Sequence, residues 1–156
     1  MYLAICPKNF NKDFLMISDK TKNNVIGEGS FYRLYYSGEY GTVKGLFLDF
    51  HLECNKVDKY FNKLKCEFDR SKNAKIIDFI QSVERSILNI VPDRKNKKPV
   101  FRVDEQLQNG FIKIFYDNES KIPEISHPPR LLLKISGIWT NDREYGITFR
   151  FFFIRP

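Results

Sequence analysis

The stretch LLLKISGIWTNDREYGITFRFFFI, residues 131–154, reads as two strands joined by the short polar turn TNDRE. In the second strand Tyr145, Ile147, Phe149, Phe151 and Phe153 share one side, and Thr148, Arg150, Phe152 and Ile154 the other. The first set is expected in a core and Arg150 on an exposed face. Basic residues alternate with aromatics here, and the hairpin commits the chain to a mainly β reading from which the other segments can be judged.

Upstream, residues 30–36 (SFYRLYY) have strand propensity throughout, SGEYG supplies a turn, and residues 42–50 return as a second strand. Short apolar runs at 2–6 and 14–18 are bounded by Pro, Asn and Asp and read as strands, while the polar segment 19–29 reads as a loop. Residues 60–68 alternate, with Tyr60, Leu64, Cys66 and Phe68 on one side and Lys63, Lys65 and Glu67 on the other. Further strands are expected at 100–103 and 110–116, with the Pro-containing segment 122–129 as a loop.

One helix is expected near residues 74–91. Ile76, Ile80, Val83, Ile87 and Ile90 recur at spacings of three and four, and Asp78, Gln81, Arg85 and Asn89 occupy the opposite side. Ser71 or Asn73 caps its start, and Pro92 cannot continue it. Parallel α/β folds need helices between most strands, and this sequence offers a single good one. The expectation is a single domain over residues 1–156, a mainly β barrel of OB-fold type with one inserted amphipathic helix.

The chain has 156 residues, 42% of them hydrophobic, and no apolar run approaching the roughly 20 needed to cross a bilayer. No membrane partner is therefore expected. The N-terminal MYLAICPKNF lacks the basic and long apolar segments of a secretory signal, which predicts an intracellular, cytoplasmic protein. Cys6, Cys54 and Cys66 match no zinc spacing and form no C-x-x-C, so they are read as free thiols in a reducing compartment. No Ser-His-Asp or Cys-His arrangement can be assembled from spacing, which predicts a binding protein without enzymatic activity or cofactor.

Composition narrows the partner. The net charge is +7, yet 15% of residues are Phe, Tyr or Trp. Aromatic faces that stack on bases, set among cations that meet phosphates, are the two requirements of a single-stranded nucleic acid. On strands the pairing recurs in rows: Phe111, Lys113 and Phe115 share one face, as do Phe31, Arg33 and Tyr35. Tyr32, Tyr35, Tyr36 and Tyr40 cluster around one hairpin, whose return strand carries Lys44. Arg94, Lys95, Lys97 and Lys98 form a basic loop after the helix, a phosphate clamp if it borders a groove and a solvated loop otherwise. Trp139 lies close to the turn that carries Arg143, where it either plugs the end of the barrel or stacks on a base.

The pattern KISGIWTNDREYGITFRF resembles the C-terminal hairpin of single-stranded-DNA-binding proteins from large DNA viruses and related virus-like linear plasmids. Its matching positions are Lys134, Gly137, Trp139, Tyr145, Gly146 and Arg150, and it covers about the last 24 residues. The resemblance implies an OB-fold that coats the displaced strand during DNA replication, with replication proteins as further partners. Many bacterial and phage single-strand binders end in an acidic recruiting tail, whereas this sequence ends FFFIRP, so recruitment through such a tail is not expected.

Two decoys and two rivals complete the reading. VIGEGSFYRLY, residues 25–35, looks like the glycine-rich loop of protein kinases, but Tyr32 replaces the third glycine and no V-A-I-K, H-R-D or D-F-G follows. His127 precedes two prolines and is an ordinary loop histidine. An RNA-binding β-protein would use the same aromatics and cations. A metal-dependent nuclease would use Asp49, His51 and Glu53, which alternate in FLDFHLE, although a solvated strand face explains the same pattern.

Overall fold

A computed structural model of the chain describes residues 4–23, 29–39, 41–115 and 129–154. Its strands are β1 (Leu15–Ile17), β2 (Thr21–Asn23), β3 (Gly29–Gly38), β4 (Gly41–Lys44), β5 (Leu46–His51), β6 (Cys54–Tyr60), β7 (Lys63–Phe68), β8 (Lys98–Val100), β9 (Phe111–Phe115), β10 (Arg130–Thr140) and β11 (Glu144–Phe153). Two helices join them, α1 (Ala74–Asn89) and α2 (Arg102–Gln108). Tyr2, Leu3, Tyr40, Tyr116 and nearly all of the expected 122–129 loop, His127 included, lie outside the described residues.

The closing hairpin is the spine of one open sheet. Its strands run in the order β1-β3-β10-β11-β9-β7-β6, with β2 and β4 also on β3, β5 on β10 and β8 on β11. Most neighbours are antiparallel, but β8 and β9 both run parallel to β11. Leu131, Leu133, Ile135, Ile147 and Phe151 of the spine are buried, as period-two alternation requires, and a register shift between Ile135 and Gly137 brings Ile138 to the same side. Against that face α1 packs Ile77, Ile80, Val83, Ile87 and Leu88, and α2 packs Val103 and Leu107.

Several expectations are corrected. The strand expected at 42–50 is two strands with different partners: β4 pairs with β3, and β5 pairs with β10. Gly45 makes the break with a φ of +92°, a left-handed conformation that side chains disfavour. Within the expected loop 19–29, Thr21–Asn23 adds to β3 as a strand. Tyr60 belongs to β6, across a turn at 61–62 from β7, so it does not share the core side with Leu64, Cys66 and Phe68.

The strand expected at 100–103 ends at Val100 and gives way to the unforeseen α2. A seven-residue helix is too short to be stable alone. It is held by Glu84 of α1, whose carboxylate accepts the Val103 and Asp104 N–H groups at 3.1 and 2.9 Å. Asn73 stands at the N-cap of α1 but does not cap it. Its side chain bonds both backbone groups of Glu53 and the carbonyl of Asp69, at 2.8 to 3.0 Å, and so anchors the link between β5 and β6 to the helix start.

Cys54 and Cys66 are not free thiols. They form a disulfide across the β6–β7 hairpin, while Cys6 is free. Among the described residues no helix is long and apolar enough to cross a membrane.

Candidate nucleic-acid interface

The face of the sheet opposite the helices is where the exposed positions converge. On β7 and β9, Leu64, Cys66, Ile112 and Ile114 turn inward, leaving Lys63, Lys65 and Glu67 beside Phe111, Lys113 and Phe115. The same alternation leaves Arg150 and Phe152 outward on β11, Leu132 and Lys134 on β10, and Phe47 and Asp49 on β5.

Register turns these positions into rows. Lys65 lies opposite Lys113, and the parallel pairing of Ile114 with Phe151 sets Arg150 beside Lys113. Arg150 in turn lies opposite Lys134, which lies opposite Phe47. Four cations thus cross four adjacent strands, a line of about 14 Å at the usual inter-strand spacing. Alongside runs an aromatic row: Tyr60 lies opposite Lys63, Lys63 opposite Phe115, and the Phe115 ring is 5.5 Å from Phe152.

The cations are held over rings. Lys65 sits 4.4 Å from the Phe111 centroid, Lys113 5.2 Å from Tyr60, Arg150 5.3 Å from Phe115 and Lys134 5.9 Å from Phe47. Lys65 also pairs with Glu67 at 3.6 Å. Among the described residues no carboxylate forms an ion pair with Lys113, Lys134 or Arg150. Between β9 and β11 a cleft of about 250 Å³ opens, lined by Lys63, Lys113, Phe115, Phe149 and Arg150 among others.

Of the candidates read from the sequence, Lys113, Phe115, Lys134 and Arg150 come together on this face. Arg33, Tyr35 and Lys44 flank it on the β3–β4 hairpin, with Arg33 over the Phe31 ring at 5.7 Å and opposite Gly137. Tyr40 lies outside the described residues.

Four aromatic candidates are core residues instead. Tyr32, Tyr36, Trp139 and Tyr145 are all buried, so none offers a ring to a base. Tyr36 packs between Phe10 and Phe14, and its hydroxyl accepts the Asn11 N–H at 3.1 Å. Trp139 has the Arg102 guanidinium over its ring at 4.8 Å, so its face is already covered, and the open sheet has no barrel end for it to plug. Aromatic clustering in sequence does not distinguish a crowded interior from a stacking surface, because Tyr suits both.

The basic loop lies elsewhere. Lys98 opens β8 opposite Glu144, and Arg143 accepts the Lys98 N–H through its carbonyl. That end of β11 is six residues from Arg150, about 20 Å along the strand. Lys97 bonds Asp93 at 3.2 Å and Thr140 at 3.1 Å, and its hydrogen bond holds the Asp93 carboxyl below the usual range. Arg94 and Lys95 are exposed. These cations form a second basic patch, separate from the row.

Lys65, Tyr60, Phe61 and Phe152 were missed as site residues, whereas Phe111 is read from the sequence in one row with Lys113 and Phe115. The alternation of 63–67 marked Lys65 as outward, but its neighbours come from strands distant in sequence. Asp49 is gripped by Arg130 through both carboxylate oxygens. Among the described residues no group of His, Cys, Asp and Glu is arranged to hold a metal ion. Compared with known protein families, curated proteins and solved structures, the chain matches none.

Proposed function

We propose that the chain binds single-stranded DNA, with little base preference, across the open face of the sheet, and that it protects displaced strands during replication. What carries the reading is the pair of like-charge oppositions, Lys65 with Lys113 and Lys134 with Arg150. Like charges directly opposite on a sheet are destabilising, by the scale of about 0.2–1 kcal/mol that governs such pairs. A polyanion lying along the row reverses the sign of that interaction. The flanking Tyr60, Phe115 and Phe152 supply rings on which bases stack, at about 1–3 kcal/mol each, with a preference set by stacking and not by hydrogen bonds. The replication role rests on the resemblance of the closing hairpin alone.

The reading does not require a closed OB-type barrel, since an open face presents the same alternation of cation and ring. It also does not need Trp139 or the Tyr32 and Tyr36 rings. Arg130 is ion-paired with Asp49, one of the two carboxylates that the nuclease reading would use.

The test is fluorescence anisotropy of labelled oligo-dT titrated at several salt concentrations, beside oligo-U and matched duplex. Binding to dT over duplex, with log K falling by about 0.7 per neutralised phosphate per log unit of salt, is expected. Equal, weak binding to dT and duplex removes the function, and preference for oligo-U moves it to RNA.

A further inference from the structure

The turn between β6 and β7 is the least explained feature of the surface. Phe61 is 89% exposed, and Tyr60 beside it 39%. Phe61 also adopts a φ of +55°, the left-handed region that bulky side chains rarely occupy. Glycine or asparagine is the residue such a turn favours, and here Asn62 is the next residue along. Keeping Phe at this position costs backbone energy and leaves a large apolar ring in water, with no gain in core burial.

What surrounds the ring indicates its use. Phe61 stands edge-to-face with Tyr60, at 4.9 Å between centroids and 83° between planes. Lys113 and Lys65 lie over Tyr60 at 5.2 and 5.9 Å. From Tyr60 the aromatic row runs inward through Phe115, itself 46% exposed, to Phe152. Asn62 of the turn and the adjacent Lys63 help to line the cleft beside Phe115, together with Gln106 of α2, and its volume of about 250 Å³ suits one planar group and not a large cofactor.

We infer that Phe61 is a base wedge: it stacks on or between unpaired nucleobases at the mouth of the aromatic row, and so makes the face select single strands over duplex. This inference rests on the single-strand reading above and adds the element that discriminates. Paired bases in a duplex have their faces covered by neighbours, so a protruding ring gains contact only where bases are free to splay. An aromatic tip ringed by lysines also suits an anionic membrane surface. The nucleobase is favoured because rings on three strands, Tyr60 of β6, Phe115 of β9 and Phe152 of β11, continue inward from the tip beside the cations, whereas insertion into a membrane uses the tip alone.

The experiment compares the wild type, Phe61→Ser and Phe61→Trp on oligo-dT, on an abasic oligonucleotide of equal length and on duplex DNA, with thermal melts as a folding control. Phe61→Ser is expected to weaken dT binding about five-fold or more while leaving the abasic and duplex affinities and the salt slope unchanged, and Phe61→Trp is expected to restore dT binding. If the wild type binds dT and Phe61→Ser matches it, the wedge is wrong while the face reading stands. If the wild type does not prefer dT at all, both fall. Phe61-dependent binding to vesicles containing anionic lipid, without binding to dT, would reassign the tip to a membrane.

Discussion

Glu84 of α1 accepts the backbone N–H of Asp104 at 2.9 Å, and with its second oxygen that of Val103 at 3.1 Å. One buried carboxylate thereby satisfies two donors in the first turn of α2, the helix that covers β9. Glu84→Ala leaves both donors without their partner, at about 1–3 kcal/mol for a buried group. A fall in the denaturation midpoint with an unchanged m-value checks this.

The same carboxylate gives a pH signature. Burial pushes the Glu84 carboxyl above its ordinary value of 4.5, against the opposing pull of the two N–H bonds. Below that value the folded and unfolded states are both protonated and the group contributes no slope. As pH rises from 4.5 through the raised folded value, the unfolded chain releases its proton first, so stability is lost with rising pH. Glu84→Gln removes this component, and the stability of the wild type relative to the variant should decline across that window in parallel chemical denaturations.

The Lys134–Arg150 opposition separates folding from binding. Lys134→Gln should leave stability unchanged or raise it by up to about 1 kcal/mol, because a repulsion is removed. The same change should weaken dT binding and lower the salt slope by about 0.7. Opposite signs in the two measurements mark a residue placed for a ligand, and a loss of both would mark Lys134 as structural.

Gly137 permits the close antiparallel pairing of β10 with β3. A Cβ there would run into the Tyr32 carbonyl oxygen and the Phe31 ring, so Gly137→Ala must displace backbone. The expected cost is about 1–3 kcal/mol or more, read as a lowered melting temperature.

Reduction of the Cys54–Cys66 disulfide should destabilise the β6–β7 hairpin. The two cysteines are 12 residues apart, and a loop of that length implies about 2–3 kcal/mol by the chain-entropy argument. Melts of Cys54→Ser with and without reductant test it: the wild type should respond to reductant, and the variant should not.

How much of this was legible follows from where each signal resides. The closing hairpin, α1 and the alternation of β7 and β9 are local patterns of period 2 or 3.6, and the sequence carries them in full. By contrast α2 depends on a carboxylate 19 and 20 residues upstream. The splitting of 42–50 at Gly45 depends on β10, some 80 residues away. For the candidate face, Lys113 and Arg150 were identifiable singly, but their alignment is a property of register across strands. Tyr32 and Tyr36 misled because alternation along β3 fixed which residues share a side without fixing which side meets the core.

The order β1-β3-β10-β11-β9-β7-β6 places the strands nearest the C-terminus at the centre of the sheet. Within the sheet, β1 to β5 lie on one flank and β6, β7 and β9 on the other, and only the hairpin of β10 and β11 joins the flanks. During synthesis both flanks therefore emerge with open edges and wait for the final strands before the sheet can close over its core. Pairings of such wide sequence separation fold slowly and expose strand edges meanwhile. A nascent chain stalled before residue 130 would be two half-sheets with nothing between them, a natural client for a chaperone.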